Sequence, residues 1–306
     1  MHAHTMQHIN RTDVIRFFED IPEVPIQPLV WPDFSEYDLQ VYIKREDLLH
    51  PYISGNKWRN LKYVLADAVA THKTHLVSFG GAYSNHLLAL AFAAHRLHLQ
   101  CSACVRGEEV HNPVLDFCMQ HGMHLRFISR DQYKNKRGVY DSLFAQHNDT
   151  YFIDEGGRGE LAVKGCEEIM ADVTGYSHYV CAAGTGTTLA GIARSAKRNH
   201  ATAEGICVLK GAQAMNEEVN EWAGCEVLMH HRFHRGGYAK TDNDLRAFVS
   251  EFYQKNKIRL DEVYTAKAMM AVCELAKEGH YPKGSKILFV HTGGVSLLNN
   301  PVSEGH

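Results

Sequence analysis

Two short segments carry side chains whose neighbours favour chemistry over packing. In SGNKWRN, Lys57 follows Ser54 and Gly55 and precedes Trp58, just inside a predicted helix. Most lysines are solvated surface groups, and that is the ordinary expectation for any single one. The small residues before Lys57 and the indole after it point instead to a partly enclosed amine. An amine held away from water loses affinity for its proton and becomes a nucleophile towards carbonyls. In AAGTGTTLAG, Gly184 and Gly186 let the backbone turn its N–H groups inward, while Thr185, Thr187 and Thr188 add hydroxyls. A predicted strand precedes this run and a predicted helix follows it, so it can cradle a phosphate without a cation. It is not a Walker loop, because no Gly-Lys-Ser/Thr follows, and Gly191 is misplaced for the dinucleotide pattern G-x-G-x-x-G. A tight turn that needs only small residues fits the run as well. A phosphate cradle and a Schiff-base lysine together would suit pyridoxal phosphate.

Other residues are weaker candidates. GGAYSNHLLAL brings Ser84, Asn85 and His86 to a strand-to-helix junction, where a hydroxyl, an amide and an imidazole can face a ligand. Ser84 reads equally well as a helix N-cap. Tyr238, after Gly236 and Gly237, and Tyr264, in DEVYTAKAM, are tyrosines of the kind more often half-buried than catalytic. The 21 histidines include His230, His231 and His234 but no H-E-x-x-H or similar spacing, so no metal is expected. Cys101 and Cys104 form a C-x-x-C inside the apolar run LQCSACVRG, with no second pair downstream, which reads as a buried strand rather than a zinc ribbon.

These residues need a frame, and the alternation of apolar runs with amphipathic stretches supplies one. Strands are predicted at HLVSFGG from His75, QCSACVRG from Gln100, HLRFISR from His124 and HYVCAAG from His178. GICVLKG from Gly205, CEVLMHH from Cys225 and KILFVHTGG from Lys286 continue the series. SNHLLALAFAAHRLHL, with Leu87, Leu88, Ala91 and Ala94 on one face, is a helix. Strand–helix alternation of this kind gives an α/β fold of mostly parallel sheets flanked by helices. Chemistry then gathers where strands end and helices begin. The 306 residues suffice for two domains. Lys plus Arg is 32 against 35 Asp plus Glu, a net charge of −3, so neither nucleic acid nor a membrane surface is an expected partner. No run approaches the ~20 apolar residues of a membrane span. The first twenty residues, MHAHTMQHINRTDVIRFFED, lack the apolar core of a signal peptide, and the expectation is a cytoplasmic protein with reduced thiols.

Taken in order, IKREDLLHPYISGNKWRNLKY, FGGAYSNH, AAGTGTTLAG, DEVYTAKAM and VHTGG resemble the pyridoxal-phosphate enzymes of the tryptophan synthase β-subunit fold, fold type II. More closely, they resemble the 1-aminocyclopropane-1-carboxylate deaminase and D-cysteine desulfhydrase family, from Ile43 to Gly294. The resemblance implies a larger cofactor-binding domain of residues 1–61 and 158–306, a smaller domain of residues 62–157, and a homodimer. It implies that Lys57 bonds the cofactor, Asn85 meets the pyridoxal hydroxyl, and the loop from Ala183 to Thr188 holds the phosphate. Ser84 matches the family's active-site serine, near the substrate carboxylate. Tyr264 and Tyr238 match tyrosines that flank cofactor and substrate. His86 stands where the deaminases have Gln, Tyr83 where many relatives have Gln, and Asn60 where relatives often carry a phosphate-facing Lys.

Two positions bear on the reaction. Thr265 and Thr292 stand where the deaminases carry Glu and Leu, and both resemble the D-cysteine desulfhydrases. A Glu keeps the pyridine nitrogen protonated and the ring a strong electron sink, whereas a hydroxyl supports a weaker one. Expelling a thiolate from a β-carbon needs less of that help than opening a cyclopropane. The expected substrate is therefore a small amino acid, D-cysteine first, converted by α,β-elimination to pyruvate, hydrogen sulfide and ammonia. Opening of 1-aminocyclopropane-1-carboxylate, elimination from D-serine or β-chloro-D-alanine, and cofactor binding with little turnover are the alternatives.

Overall fold

The computed structural model describes residues 9–144 and 146–295. Among them, ten strands form two sheets. They are β1 Ile26–Pro28, β2 Gln40–Lys44, β3 His75–Gly80, β4 Gln100–Arg106, β5 Met123–Ile128, β6 Thr150–Ile153, β7 His178–Ala183, β8 Thr202–Cys207, β9 Leu228–His230 and β10 Lys286–Val290. The larger sheet has the order β1-β2-β10-β7-β8-β9 and the smaller β5-β4-β3-β6. Every pairing is parallel except β1 with β2. The antiparallel β1 lies at an edge, where Pro28 removes no hydrogen bond from the sheet interior.

The chain divides into two compact units, one of Leu61–Gly157 with the segment up to Ile21, the other of Pro22–Asn60 with the chain from Arg158 onward. The first segment thus groups with the smaller unit, whereas the sequence placed it in the larger. The helix Arg11–Glu19 buries Val14 and Phe18, and its Glu19 pairs with Lys62 at 3.5 Å, which holds the segment where it is.

Strand periodicity divides the larger unit's core between the two faces of its sheet. Val180, Ala182, Ile287 and Phe289 pack beneath the helices Asn243–Asn256 and Thr265–Lys277 with Phe252, Val272 and Leu275. Their neighbours Tyr179, Cys181, Ala183, Leu288 and Val290 face the other way, with Val163, Leu189 and Ile192 of the helices Glu160–Glu167 and Thr187–Arg198. Both faces are covered, which is why these strands read as continuous apolar runs. In the smaller unit, Val77, Phe79, Cys104 and Ile128 pack with Tyr133 and Tyr140.

The predicted strands appear, with shifts at their ends. β8 starts at Thr202 rather than Gly205, and β9 is only three residues long because a left-handed Gly224 and the Val227 N–H bond to Asn220 keep its first residues in a turn. β1, β2 and β6 lacked the long apolar run that marked the others. Cys101 and Cys104 lie in β4, buried, and all eight cysteines are free. Burial raises both thiols, Cys104 to about 11, so they are neutral. Among the described residues, no helix is long and apolar enough to cross a membrane.

Candidate active site

The helix Asn56–Ala70 begins where two backbone segments touch. Gly55 has φ +57°, and a Cβ there would run into the carbonyl of Thr292. Only glycine accepts both that conformation and that approach. The Asn56 N–H donates to the same carbonyl at 3.1 Å, which docks the first turn of the helix on the segment after β10. Lys57 is the second residue of this helix and part-exposed. Its neighbours fix the backbone around it. Trp58 is buried and stacks on His50, whose Nδ1 accepts the Tyr52 and Ile53 N–H groups at 3.1 Å each. Arg59 forms a buried two-point pair with Glu46, at 3.0 and 3.3 Å. The Asn60 amide oxygen accepts the Cys166 thiol proton. Burial pushes that thiol up to about 12, against the pull of Thr188 and the Lys57 charge, so Cys166 is a neutral donor beside the lysine.

β7 delivers Ala183 to the loop Gly184–Gly186, and the helix Thr187–Arg198 starts there. Gly186 is the N-cap at φ +79°, with Val219 occupying the space a Cβ would need. The first N–H groups of such a helix lack partners within it and carry its positive dipole end. Thr185 and Thr187 bring their hydroxyls within 3.2 Å of each other, and Thr188 Oγ1 accepts from Asn56 Nδ2 at 2.8 Å. The last of these ties the Lys57 helix directly to the loop's helix.

Tyr264 closes the loop from one side. A Cβ at Gly184 would stand 3.0 Å from the Tyr264 ring, so the ring lies against the loop. Tyr238 meets Tyr264 edge to face at 6.0 Å and is 46% exposed, which leaves it the outer member of the pair. Lys267 fixes Tyr238's loop by donating to the carbonyls of His234 and Gly237 at 3.1 and 2.7 Å. Thr265 is fully buried and accepts the Asp261 N–H at 2.8 Å, with its own proton facing the Asp261 carbonyl at 3.4 Å. The Asp261 carboxylate accepts the Tyr264 N–H at 2.5 Å, and it fills the space beside Gly294. Burial raises this carboxyl to about 6 despite the backbone N–H groups around it. Thr292 is buried between His291 and Gly293. A carbonyl only accepts, so His291 Nε2–H donates to Arg259 at 2.7 Å, leaving Nδ1 to accept the Gly293 N–H at 3.3 Å. Burial lowers the His291 pKa, and the ring is a neutral brace.

The larger unit therefore brings together Lys57, the run from Ala183 to Thr188, Tyr264, Tyr238, Thr265 and Thr292. The smaller unit carries a second group at the β3-to-helix junction. There Ser84 caps the helix Asn85–Arg96 by accepting the Leu87 N–H at 3.3 Å, the role its position in the sequence already allowed. Asn85 opens that helix, part-exposed, and Tyr83 before it is exposed. His86 is only 2% exposed, and its Nε2 is committed to Ser78 at 2.8 Å, so the ring expected at a substrate is engaged in the unit's interior. The sequence reading passed over Asn56, Arg59 and Asp261. All three lie inside segments it had singled out, but their partners, Thr188, Glu46 and Gly294, are not sequence neighbours and come close only in the fold.

The donor set fits pyridoxal phosphate. Backbone N–H groups and three threonine hydroxyls surround a loop with no room for a side chain at Gly186 and little at Gly184, and an amine stands one residue from the bond joining the two helices. Asn60 adds no charge, so helix N–H groups and hydroxyls would carry the phosphate.

Comparison with known proteins agrees with this reading. Residues 23–293 match the family described as pyridoxal-phosphate dependent enzyme. A Pyrococcus horikoshii protein provisionally named 1-aminocyclopropane-1-carboxylate deaminase is 31% identical over 298 residues, covering 90% of each chain. The Arabidopsis thaliana bifunctional D-cysteine desulfhydrase/1-aminocyclopropane-1-carboxylate deaminase is 26% identical over 87% of this chain and 75% of its own. A crystal structure described as an ACC deaminase homologue superposes with a TM-score of 0.79 at 27% identity, covering 94% of this chain and 96% of that one. The two-unit, mostly parallel α/β architecture is thus the tryptophan synthase β-like one expected from the motifs. The chain belongs to the pyridoxal-phosphate-dependent enzymes, within the family of 1-aminocyclopropane-1-carboxylate deaminase and D-cysteine desulfhydrase.

Proposed function

We propose that this enzyme eliminates the β-substituent of a small D-amino acid, D-cysteine first, converting it with one water to pyruvate, hydrogen sulfide and ammonia. The observation that carries this reading is Thr265, a buried neutral hydroxyl at the head of the Tyr264 helix. When bound, the cofactor withdraws electrons from the substrate's Cα, and a hydroxyl supports that less than a carboxylate would. Elimination of a thiolate tolerates the weaker support.

In this reading Lys57 holds the cofactor and, when displaced by the substrate amine, takes the proton from Cα. The run from Ala183 to Thr188 anchors the phosphate. Tyr264 flanks the cofactor beside Gly184, and Tyr238, the outer ring, hands a proton to the departing sulfur. Ser84 and Asn85 serve the substrate carboxylate and the pyridoxal hydroxyl.

A second reading is opening of 1-aminocyclopropane-1-carboxylate to 2-oxobutyrate and ammonia. The names of the Pyrococcus relative and of the superposed crystal structure support it, and the Arabidopsis name covers both activities. Product analysis on both substrates tests the proposal. Sulfide and pyruvate from D-cysteine, with little 2-oxobutyrate, is the expected result. Cyclopropane opening faster than sulfide release would overturn it.

A further inference from the structure

Glu204 lies in β8, fully buried on the face that packs beneath the helix Thr265–Lys277, and the described residues offer it no lysine or arginine. Its polar neighbours are three histidines. His230 Nε2, at the end of β9, and His280 Nε2, just past that helix, both approach Glu204 Oε2, at 2.9 and 3.0 Å. His178 Nε2, at the start of β7, stands 3.7 Å from Oε1. The His230 and His280 rings meet edge to face, 5.2 Å apart. Oε1 is buried and has no hydrogen-bond partner among the described residues, and neither has the nearby Tyr281 hydroxyl.

A buried carboxylate needs a positive partner, supplied here either by a histidine proton or by a metal ion. One atom from each of Glu204, His230 and His280 lies within 4.8 Å of the others. Two imidazole nitrogens and a carboxylate oxygen, with a fourth position left for water, is the ligand count and type of a zinc-class ion rather than of magnesium or calcium. Ligand atoms about 2.0–2.1 Å from a tetrahedral ion stand roughly 3.4 Å from one another. Glu204 Oε2 stands a few tenths of an ångström closer than that to each nitrogen, the two nitrogens lie within 4.8 Å of each other, and the side chain of His280, 28% exposed, provides the way in.

We infer that Glu204, His230 and His280 form a binding site for a divalent zinc-class ion. It is separate from the proposed cofactor site: Glu204 pairs with Val180, four residues before Gly184 and about 13 Å from it along the strand at ~3.3 Å per residue, and it lies on the face covered by the helix Thr265–Lys277 rather than by the helix Thr187–Arg198. With Glu204 ionised, both histidines now carry hydrogen on Nε2. Metal binding puts lone pairs there instead, and the protons pass to Nδ1 or to solvent. The bound ion joins the sheet to the end of the Thr265–Lys277 helix, so its role is structural.

The test uses the purified, untagged holoenzyme stripped of metal by a chelator and titrated with Zn2+ and, separately, Co2+. One Zn2+ per chain should bind tightly and raise the melting midpoint, and Co2+ should give the visible absorption of a tetrahedral site. His280→Gln, at the exposed rim, should weaken binding by about 100-fold, the upper end of what losing even an outer-shell partner costs. Glu204→Gln should do the same. His231→Gln, which removes a neighbouring ring bonded to Asn216 outside the cluster, should leave binding unchanged. Absence of stoichiometric binding to the unmodified enzyme would overturn the site. So would Zn2+ binding and a Co2+ spectrum unaltered by His280→Gln, which would place the ion on other histidines.

Discussion

Asn56 Nδ2 donates to Thr188 Oγ1 at 2.8 Å, so the residue just before Lys57, the proposed cofactor lysine, is bonded to the helix that opens behind the proposed phosphate loop. The amine and the loop are thereby held together, and in the proposed function they would grip the two ends of one small molecule. Such fixing reduces the ordering cost of binding.

Asn56→Ala should therefore weaken cofactor binding roughly fivefold to tenfold, the equivalent of about 1 kcal/mol for one hydrogen bond. Turnover at saturating cofactor should fall less, because an anchor contributes equally to ground and transition states. Absorbance titration of the stripped enzyme with pyridoxal phosphate measures the first effect and steady-state kinetics the second.

Lys57→Ala should lower turnover by about three orders of magnitude or more. The fold should persist, since alanine is the best helix former and the buried neighbours Trp58, Arg59 and Asn60 keep their contacts. Borohydride reduction followed by peptide mass spectrometry should find no cofactor on any lysine of the variant. An adduct elsewhere would transfer the role to another amine.

Asp261 predicts a pH dependence of stability. Its carboxyl is raised to about 6 in the folded chain by burial. A group whose folded pKa lies above its unfolded value favours the fold below the unfolded pKa and loses that contribution as pH rises through the folded one. From pH 4 to 6 the enzyme should lose about 2 kcal/mol through this residue alone. Urea midpoints of the native enzyme and of Asp261→Asn should therefore converge at low pH and separate above pH 6, with the variant the more stable there. Parallel profiles would assign the slope to other groups.

Thr265→Glu should do more than change the electronics of the cofactor. It removes the acceptor of the Asp261 N–H and places a second carboxyl beside a buried one. Two neighbouring carboxyls cannot both ionise cheaply, so one stays protonated at neutral pH. Stability should drop by roughly 2 kcal/mol, and sulfide release should fall. Adding Thr292→Leu is expected to raise the ratio of 2-oxobutyrate from the cyclopropane substrate to sulfide from D-cysteine. Product ratios of the single and double variants, with thermal midpoints, separate the two effects.

The sequence was most informative where function depends on local backbone. Lys57 at a helix start and Gly184–Gly186 between a strand and a helix are recognisable because their requirements fall within a few consecutive residues. Contacts between distant segments leave no such mark. Nothing in HRFHRGGY or DEVYT predicts that Tyr238 and Tyr264 share an edge, and nothing in WRN announces that Arg59 reaches back to Glu46. The adjacent His230, His231 and His234 drew attention by proximity, yet His230 finds its partners on β8 and past the helix Thr265–Lys277, while His231 turns to Asn216. A search for ligand spacing within one segment overlooks a cluster assembled from separate strands. The segment up to Ile21 was misassigned for a related reason, because its ties to Lys62 and the smaller unit are tertiary.

The contact between Gly55 and Thr292 also sets the order in which the enzyme can be made. β2, which precedes Lys57, pairs with β10, and the Lys57 helix rests on the carbonyl just beyond β10. A ribosome delivers Lys57 early and Thr292 late, and domains fold as their chain emerges. The smaller unit, Leu61–Gly157 with the segment up to Ile21, is complete in mid-synthesis, whereas the larger unit waits for its central strand. Until residue 292 has emerged, the Lys57 helix lacks the carbonyl on which its first turn rests, and the larger unit lacks the strand between β2 and β7.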